Sequence, residues 1–247
     1  FIERFSRFVN SKWNDTPGAR PDEDASYFMV KHVLEGGMPW SEVFLGKFKV
    51  ETQNPDQRPG NDNPVVVKPD PEGLGFFRSP RWLIRYAGNE PDGMLIVKGN
   101  RIMMATIGLE LVASTNAPDA DVSATGRQAG VCRGCHYDNW YALDKVAAIL
   151  GKRVGENDRA TFEPYEGGPQ TILGGVQASN DADLVAALVG NEAYNVQACR
   201  LAFQYLYGRN ENKCEGPLFD KCVETFKKEK SIQSALRSVA ADTSFCE

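Results

Sequence analysis

Apolar residues recur at helical spacing along much of the chain. Phe1, Ile2, Phe5, Phe8 and Val9 form such a stripe over residues 1–10. A second helix is expected from Asp24 to Glu35, stopped by Gly36-Gly37, with Tyr27, Val30 and Leu34 on its core face and His32 roughly opposite. Pro39-Trp40-Ser41-Glu42 opens a short helix to about Gly46. Residues 50–80 carry repeated Pro and Gly and read as irregular, with Val65-Val66-Val67 as a possible short strand. One or two helical turns are expected at residues 79–86. Asn100 could cap a helix from Arg101 to about Val112. That helix is apolar almost all round and therefore expected to be buried. Further helices are expected from Asp138 to Leu150, Asp181 to Leu188 and Asn191 to Tyr207, then near 217–228 and 230–242. Residues 151–180 are rich in glycine and loop-like. The expected fold is mostly α, with long irregular loops and little or no sheet.

The 247 residues suffice for one large domain or two small ones. A net charge of −5, with no run of Lys or Arg, gives no footprint for nucleic acid or an anionic membrane. No apolar stretch approaches the ~20 residues of a membrane span. The chain opens in the middle of a helical pattern, and the expectation is a domain cut from a longer exported protein.

Candidate chemistry is concentrated in Cys132-Arg133-Gly134-Cys135-His136. C-x-x-C-H is the attachment signature of a c-type haem. Two thiols at this spacing, with small Gly134 between them, suit thioether bonds to the two vinyl groups. The histidine that follows is the proximal iron ligand. A zinc site would require a further arm of ligands, and no second C-x-x-C is present. Thioredoxin-type chemistry expects a preceding strand, whereas residues 113–130 are polar and loop-like. Tyr137, Trp140 and Tyr141 follow at once and are placed to pack on a porphyrin. Arg127, Arg133, Lys152 and Arg153 flank the segment and could pair with propionates. The remaining cysteines, Cys199, Cys214, Cys222 and Cys246, are even in number and suggest two disulfides, with three pairings open. Both features point to an oxidising compartment, periplasmic or extracellular.

Cys132–His136, Asp138-Asn139-Trp140-Tyr141-Ala142-Leu143-Asp144, Asp183-Leu184 and Cys199-Arg200-Leu201-Ala202-Phe203 through Tyr207-Gly208-Arg209 form a larger pattern. It resembles the exported cytochrome c domains of planctomycete and myxobacterial type, as does the ending from Ser234 to Phe245. Asn139-Trp140 stands where that family usually has a proline turn. The resemblance covers about residues 100–247 and is weaker over 24–50; the expected organisation is one cytochrome c-type haem domain over residues 1–247, in which an N-terminal helical segment (residues 1–100) packs on a haem-bearing segment (residues 101–247). The resemblance also implies disulfides Cys199–Cys214 and Cys222–Cys246. Related domains belong to large secreted proteins, some in polysaccharide-degrading systems. One-electron transfer is the function implied, to a redox partner protein or to another haem domain of the same polypeptide, with no catalytic residue.

The sixth iron ligand decides between a closed electron-transfer site and an open one. No methionine follows residue 104, so a Met ligand comes from Met29, Met38, Met94, Met103 or Met104. The order of preference is Met104, Met103, then His32. An open or displaceable position would make the domain a haem peroxidase-like enzyme or a ligand sensor.

Overall fold

The computed structural model describes residues 1–88, 90, 92–111, 119–130, 132–155, 160–164 and 167–242. In chain order the elements are α1 (Ile2–Trp13), α2 (Ala25–Glu35), α3 (Glu42–Leu45), β1 (Phe48–Thr52), β2 (Val65–Pro69), α4 (Pro80–Arg85) and α5 (Ile96–Ile107). Then follow α6 (Ala124–Arg127), a π-type turn (Gly134–Asp138), α7 (Leu143–Ala147), β3 (Lys152–Val154), β4 (Thr161–Glu163), β5 (Gln170–Thr171) and β6 (Gln177–Ala178). The chain closes with α8 (Asp181–Val189), α9 (Glu192–Tyr207), α10 (Gly216–Glu229) and α11 (Ile232–Ala240). The fold is mostly α, and each described sheet is a two-stranded antiparallel ladder. No helix among the described residues is long and apolar enough to cross a membrane.

The chain divides into two compact units, 1–79 with 192–247, and 80–191. This division differs from the expected boundary near residue 100, which falls inside α5.

The first unit is built on aromatic packing. α1 buries Phe5, Val9 and Trp13 along one face. Trp13 stacks on Phe76 with ring centres 5.6 Å apart, and Trp40, Phe44 and Phe77 complete the cluster. α1 is tied to α2 by polar bonds: Asn10 donates to Asp24, Ser26 donates to Asn10, and Tyr27 donates to Glu3. That last bond turns Tyr27 away from the core, and α2 instead buries Met29, Val30, Val33 and Leu34. Val65-Val66-Val67 belongs to β2, paired with β1 in the register Val50↔Val67. The connecting loop folds back on Asn63, whose amide donates to the carbonyls of Asn54, Gln57 and Arg58. Repeated Pro and Gly conceal this ladder in the sequence because they fall in the turn between its strands (Pro55, Pro59, Gly60, Pro64) and at and beyond the end of β2 (Pro69, Pro71, Gly73).

In the same unit α9, α10 and α11 pack on one another. Cys199 of α9 and Cys222 of α10 form a disulfide, with Cα atoms 6.0 Å apart. The expected pairs Cys199–Cys214 and Cys222–Cys246 are therefore not formed. Both bonded cysteines are wholly buried where the two helices meet, whereas Cys214 is exposed on the intervening turn with a free thiol. Cys246 lies outside the described residues.

The second unit centres on α5, which packs against α7 and α8. α5 starts at Ile96, ahead of the expected cap at Asn100, and ends at Gly108 in the left-handed conformation (φ 70°). Gly99 lies inside it for a packing reason: a Cβ there would stand 2.9 Å from Val146 of α7, so its absence permits the close approach. The buried pair Lys98–Asp181, at 3.1 Å, joins α5 to the first turn of α8. Asn180 caps α8 by accepting from the Asp183 N–H.

Candidate haem attachment site

The candidate site lies wholly in the second unit. Ser123 caps α6 by accepting from the Gly126 N–H, and the short helix delivers Arg127 at its end. Arg127 is only 5% exposed. Its guanidinium donates to Asp92 at 2.6 Å, to Asp144 at 2.9 Å and to the carbonyl of Val122, and one nitrogen lies 3.5 Å from the Met94 sulfur.

Asp144 occupies the first turn of α7, where a carboxylate suits the positive end of the helix. It is 4% exposed, yet both oxygens are bonded. Oδ1 accepts from Arg127 and from the Tyr137 hydroxyl at 2.8 Å, while Oδ2 lies 2.7 Å from His136 Nδ1. Burial alone pushes the Asp144 carboxyl up. The hydrogen bonds of His136, Arg127 and Tyr137 outweigh that and hold it below the usual range. Tyr137 is pushed up by burial and by its bond to this carboxylate. A carboxylate that stays ionised can only accept, so Nδ1 carries the hydrogen of this contact, and in the neutral ring the lone pair is on Nε2. Among the described residues Nε2 has no hydrogen bond.

The chain reaches this arrangement through a break in the expected helix. Over an uninterrupted helix, eight residues advance about 12 Å along the axis, which would hold His136 and Asp144 apart. Instead the π-type turn over Gly134–Asp138 ends at an extended Asn139 (φ −106°, ψ 171°), and α7 begins only at Leu143. The expected helix from Asp138 to Leu150 is therefore shortened to Leu143–Ala147, and the break brings Asp144 back onto the imidazole. Wide turns of this kind occur often at functional sites.

Cys132 is partly exposed and Cys135 exposed, and both thiols are free. A Cβ at Gly134 would meet no atom within 4 Å, so open space lies beside the residue between them. Two accessible thiols on one turn, followed by an imidazole whose Nδ1 is already occupied, are a donor set chemically suited to haem c. Among the described residues no three His, Cys, Asp or Glu side chains gather as a metal-binding group. Haem iron requires only axial side chains, because the porphyrin brings its own nitrogens.

The other anticipated residues are distributed as follows. Tyr137 bonds to Asp144. Trp140 and Tyr141 are half-buried and meet edge to face at 5.5 Å. Asn139 ties the Tyr141 hydroxyl and the Gly134 carbonyl together. Arg127 is committed to two carboxylates, Arg133 pairs with Asp138 on the surface, and Arg153 donates to the carbonyls of Gly88 and Glu90. Lys152, with Lys145, Asp92, Met94, Tyr137 and Asp144, lines a cavity of about 530 Å³ beside the His136–Asp144 pair. Met103 is wholly buried in α5, and Met104, one position round the helix, is half-buried. His32 lies in the first unit, its ring edge-on to Phe48 and its Nε2 buried without a hydrogen bond among the described residues. Sequence reasoning did not assign roles to Asp144 and Asp92. Asp144 closes the Asp138–Asp144 segment of the cytochrome-like pattern without a role of its own there, and Asp92 stands in no motif.

No family model, no curated protein and no solved structure matches the chain.

Proposed function

We propose that the chain is an exported c-type cytochrome domain that carries one haem and transfers single electrons. The observation that carries this reading is the 2.7 Å contact of His136 Nδ1 with Asp144, directly after two free thiols in C-x-x-C-H spacing. A metal-bound histidine generally donates its other ring N–H to a carboxylate or carbonyl, which fixes tautomer and ring orientation. Cys132 and Cys135 would form the thioethers, and His136 Nε2 would be the proximal ligand. Haem c bound there would supply a one-electron ferric/ferrous couple.

For the sixth position the preference remains Met104, then Met103, then His32. Partial exposure favours Met104, because Met103 is already packed on all sides. Lys152 and Lys145 line the cavity beside the site, and their ammonium groups suit propionates. The Cys199–Cys222 disulfide supports an oxidising compartment, periplasmic or extracellular. The partner is then a redox protein or another haem domain of the same polypeptide, in line with the resemblance to secreted cytochrome domains of polysaccharide-degrading bacteria.

The test is covalent haem. Expressed with a haem-attachment system, the protein should keep haem staining in a denaturing gel, and Cys132→Ser with Cys135→Ser should lose it. An unstained wild type, or stain that survives both substitutions, sinks the reading.

A further inference from the structure

We propose that Asp144 is the positioning residue that makes His136 an electron-rich ligand and sets the haem of this domain at a low reduction potential. The inference rests on the haem reading above and adds the direction in which electrons flow.

Three observations carry it. First, the contact of Oδ2 with Nδ1 at 2.7 Å is short and charge-assisted. It draws the Nδ1 hydrogen towards the carboxylate and raises the basicity of Nε2. A more basic axial nitrogen stabilises ferric iron over ferrous iron. Second, Asp144 and Arg127 are 4% and 5% exposed, so the charges act through protein with little water between them. Third, Arg127 does not cancel the carboxylate. It is shared with Asp92, so its charge is divided between two carboxylates. What remains of the Asp144 charge also favours the ferric state.

Tyr137 sets the strength of the effect. Its hydroxyl donates to Oδ1 at 2.8 Å and draws charge away from the oxygen that faces the imidazole. Asp144 and Tyr137 therefore act on the potential with opposite signs, which a purely structural role for either would not produce. A domain poised low delivers electrons to acceptors of higher potential.

The experiment is spectroelectrochemical titration of the full chain with haem attached, comparing wild type, Asp144→Asn and Tyr137→Phe. Asp144→Asn keeps the shape and an acceptor but removes the charge. It should favour the ferrous state at least tenfold, a rise of about 59 mV or more for one electron, with attachment retained. Tyr137→Phe should move the midpoint the other way. A smaller rise, no change or a fall in Asp144→Asn overturns the proposal while leaving the cytochrome reading intact. If Asp144→Asn does not fold, Tyr137→Phe decides alone: a fall supports the proposal, and no change or a rise overturns it. A wild type that never acquires covalent haem removes both. A readout independent of haem is the tautomer of His136, seen by nitrogen NMR of the apoprotein. Hydrogen on Nδ1 in wild type is expected, and hydrogen on Nε2 would overturn the positioning role.

Discussion

The ammonium of Lys98 lies 3.1 Å from the carboxylate of Asp181, and the two side chains are 4% and 11% exposed. They join α5 to the start of α8 across 83 positions of sequence. Removing one partner takes a close opposite charge away from the one left buried, whereas replacing both removes the desolvation penalty together with the attraction. Asp181→Ala or Lys98→Ala should each lower unfolding stability by about 3–5 kcal/mol. Lys98→Met with Asp181→Leu should lose far less than the two single changes added. Urea unfolding of the four proteins checks this; single losses below about 1 kcal/mol would mark the pair as solvated.

The Cys199–Cys222 disulfide closes a loop of 23 positions between α9 and α10. In the chain-entropy treatment such a loop stabilises by about 3 kcal/mol. Cys199→Ala with Cys222→Ala should lower stability by about that amount, and reductant should do the same to wild type alone. Cys214→Ser should leave stability within about 0.5 kcal/mol, since its thiol is exposed and free. A large loss from Cys214→Ser would contradict the pairing.

Stability should also fall as pH rises above the ordinary carboxyl range, because of Glu90. Burial pushes this carboxyl up from 4.5, against the attraction of Arg127 and Arg153 and with the repulsion of Asp92. Its Oε2 is buried without a hydrogen-bond partner among the described residues. The sign follows from proton uptake. Folding raises the affinity for the proton, so the native state is favoured most when Glu90 is protonated and loses stability as pH passes through the raised value. Glu90→Gln should match wild type near pH ~4 and exceed it above neutrality by about 1–3 kcal/mol. A stability difference that does not change with pH would place the carboxylate in water.

Much of the helical framework was readable because apolar residues recur at helical spacing in α2, α8, α9, α10 and α11, and Gly36, Gly190 and Gly208 follow α2, α8 and α9. The pentapeptide was readable because its chemistry depends on five adjacent residues. The disulfide was not, since the facing of α9 and α10 is a tertiary fact, and the family resemblance implied Cys214 as the partner of Cys199. The start of α5 was missed because Gly99 and Asn100 look like a boundary, whereas Gly99 serves the close contact with Val146. Asp144 was missed for a related reason. A continuous helix through residues 138–150 would carry it away from His136, and only the break after Asp138 returns it.

Met103 and Met104 separate stability from ligation. Met103 is 0% exposed on α5, whereas its neighbour Met104 keeps some of its surface in solvent. Truncating a wholly buried methionine removes packed volume and leaves a cavity, so Met103→Ala should cost about 2–5 kcal/mol. Met104→Ala should cost under about 1 kcal/mol, because half-buried positions relax into solvent. With Met104 as the sixth ligand, its loss should turn a low-spin ferric spectrum high-spin while the protein stays folded. Met103→Ala should leave spin state unchanged in the folded fraction. Ultraviolet–visible and electron paramagnetic resonance spectra, taken beside urea unfolding, read both quantities on the same samples. A low-spin signal that survives Met104→Ala moves the assignment to Met103 or His32. A wild type already high-spin, and shifted by peroxide or cyanide, would replace electron transfer with a peroxidase-like or sensing role, because an open iron position admits exogenous ligands that a methionine would otherwise exclude.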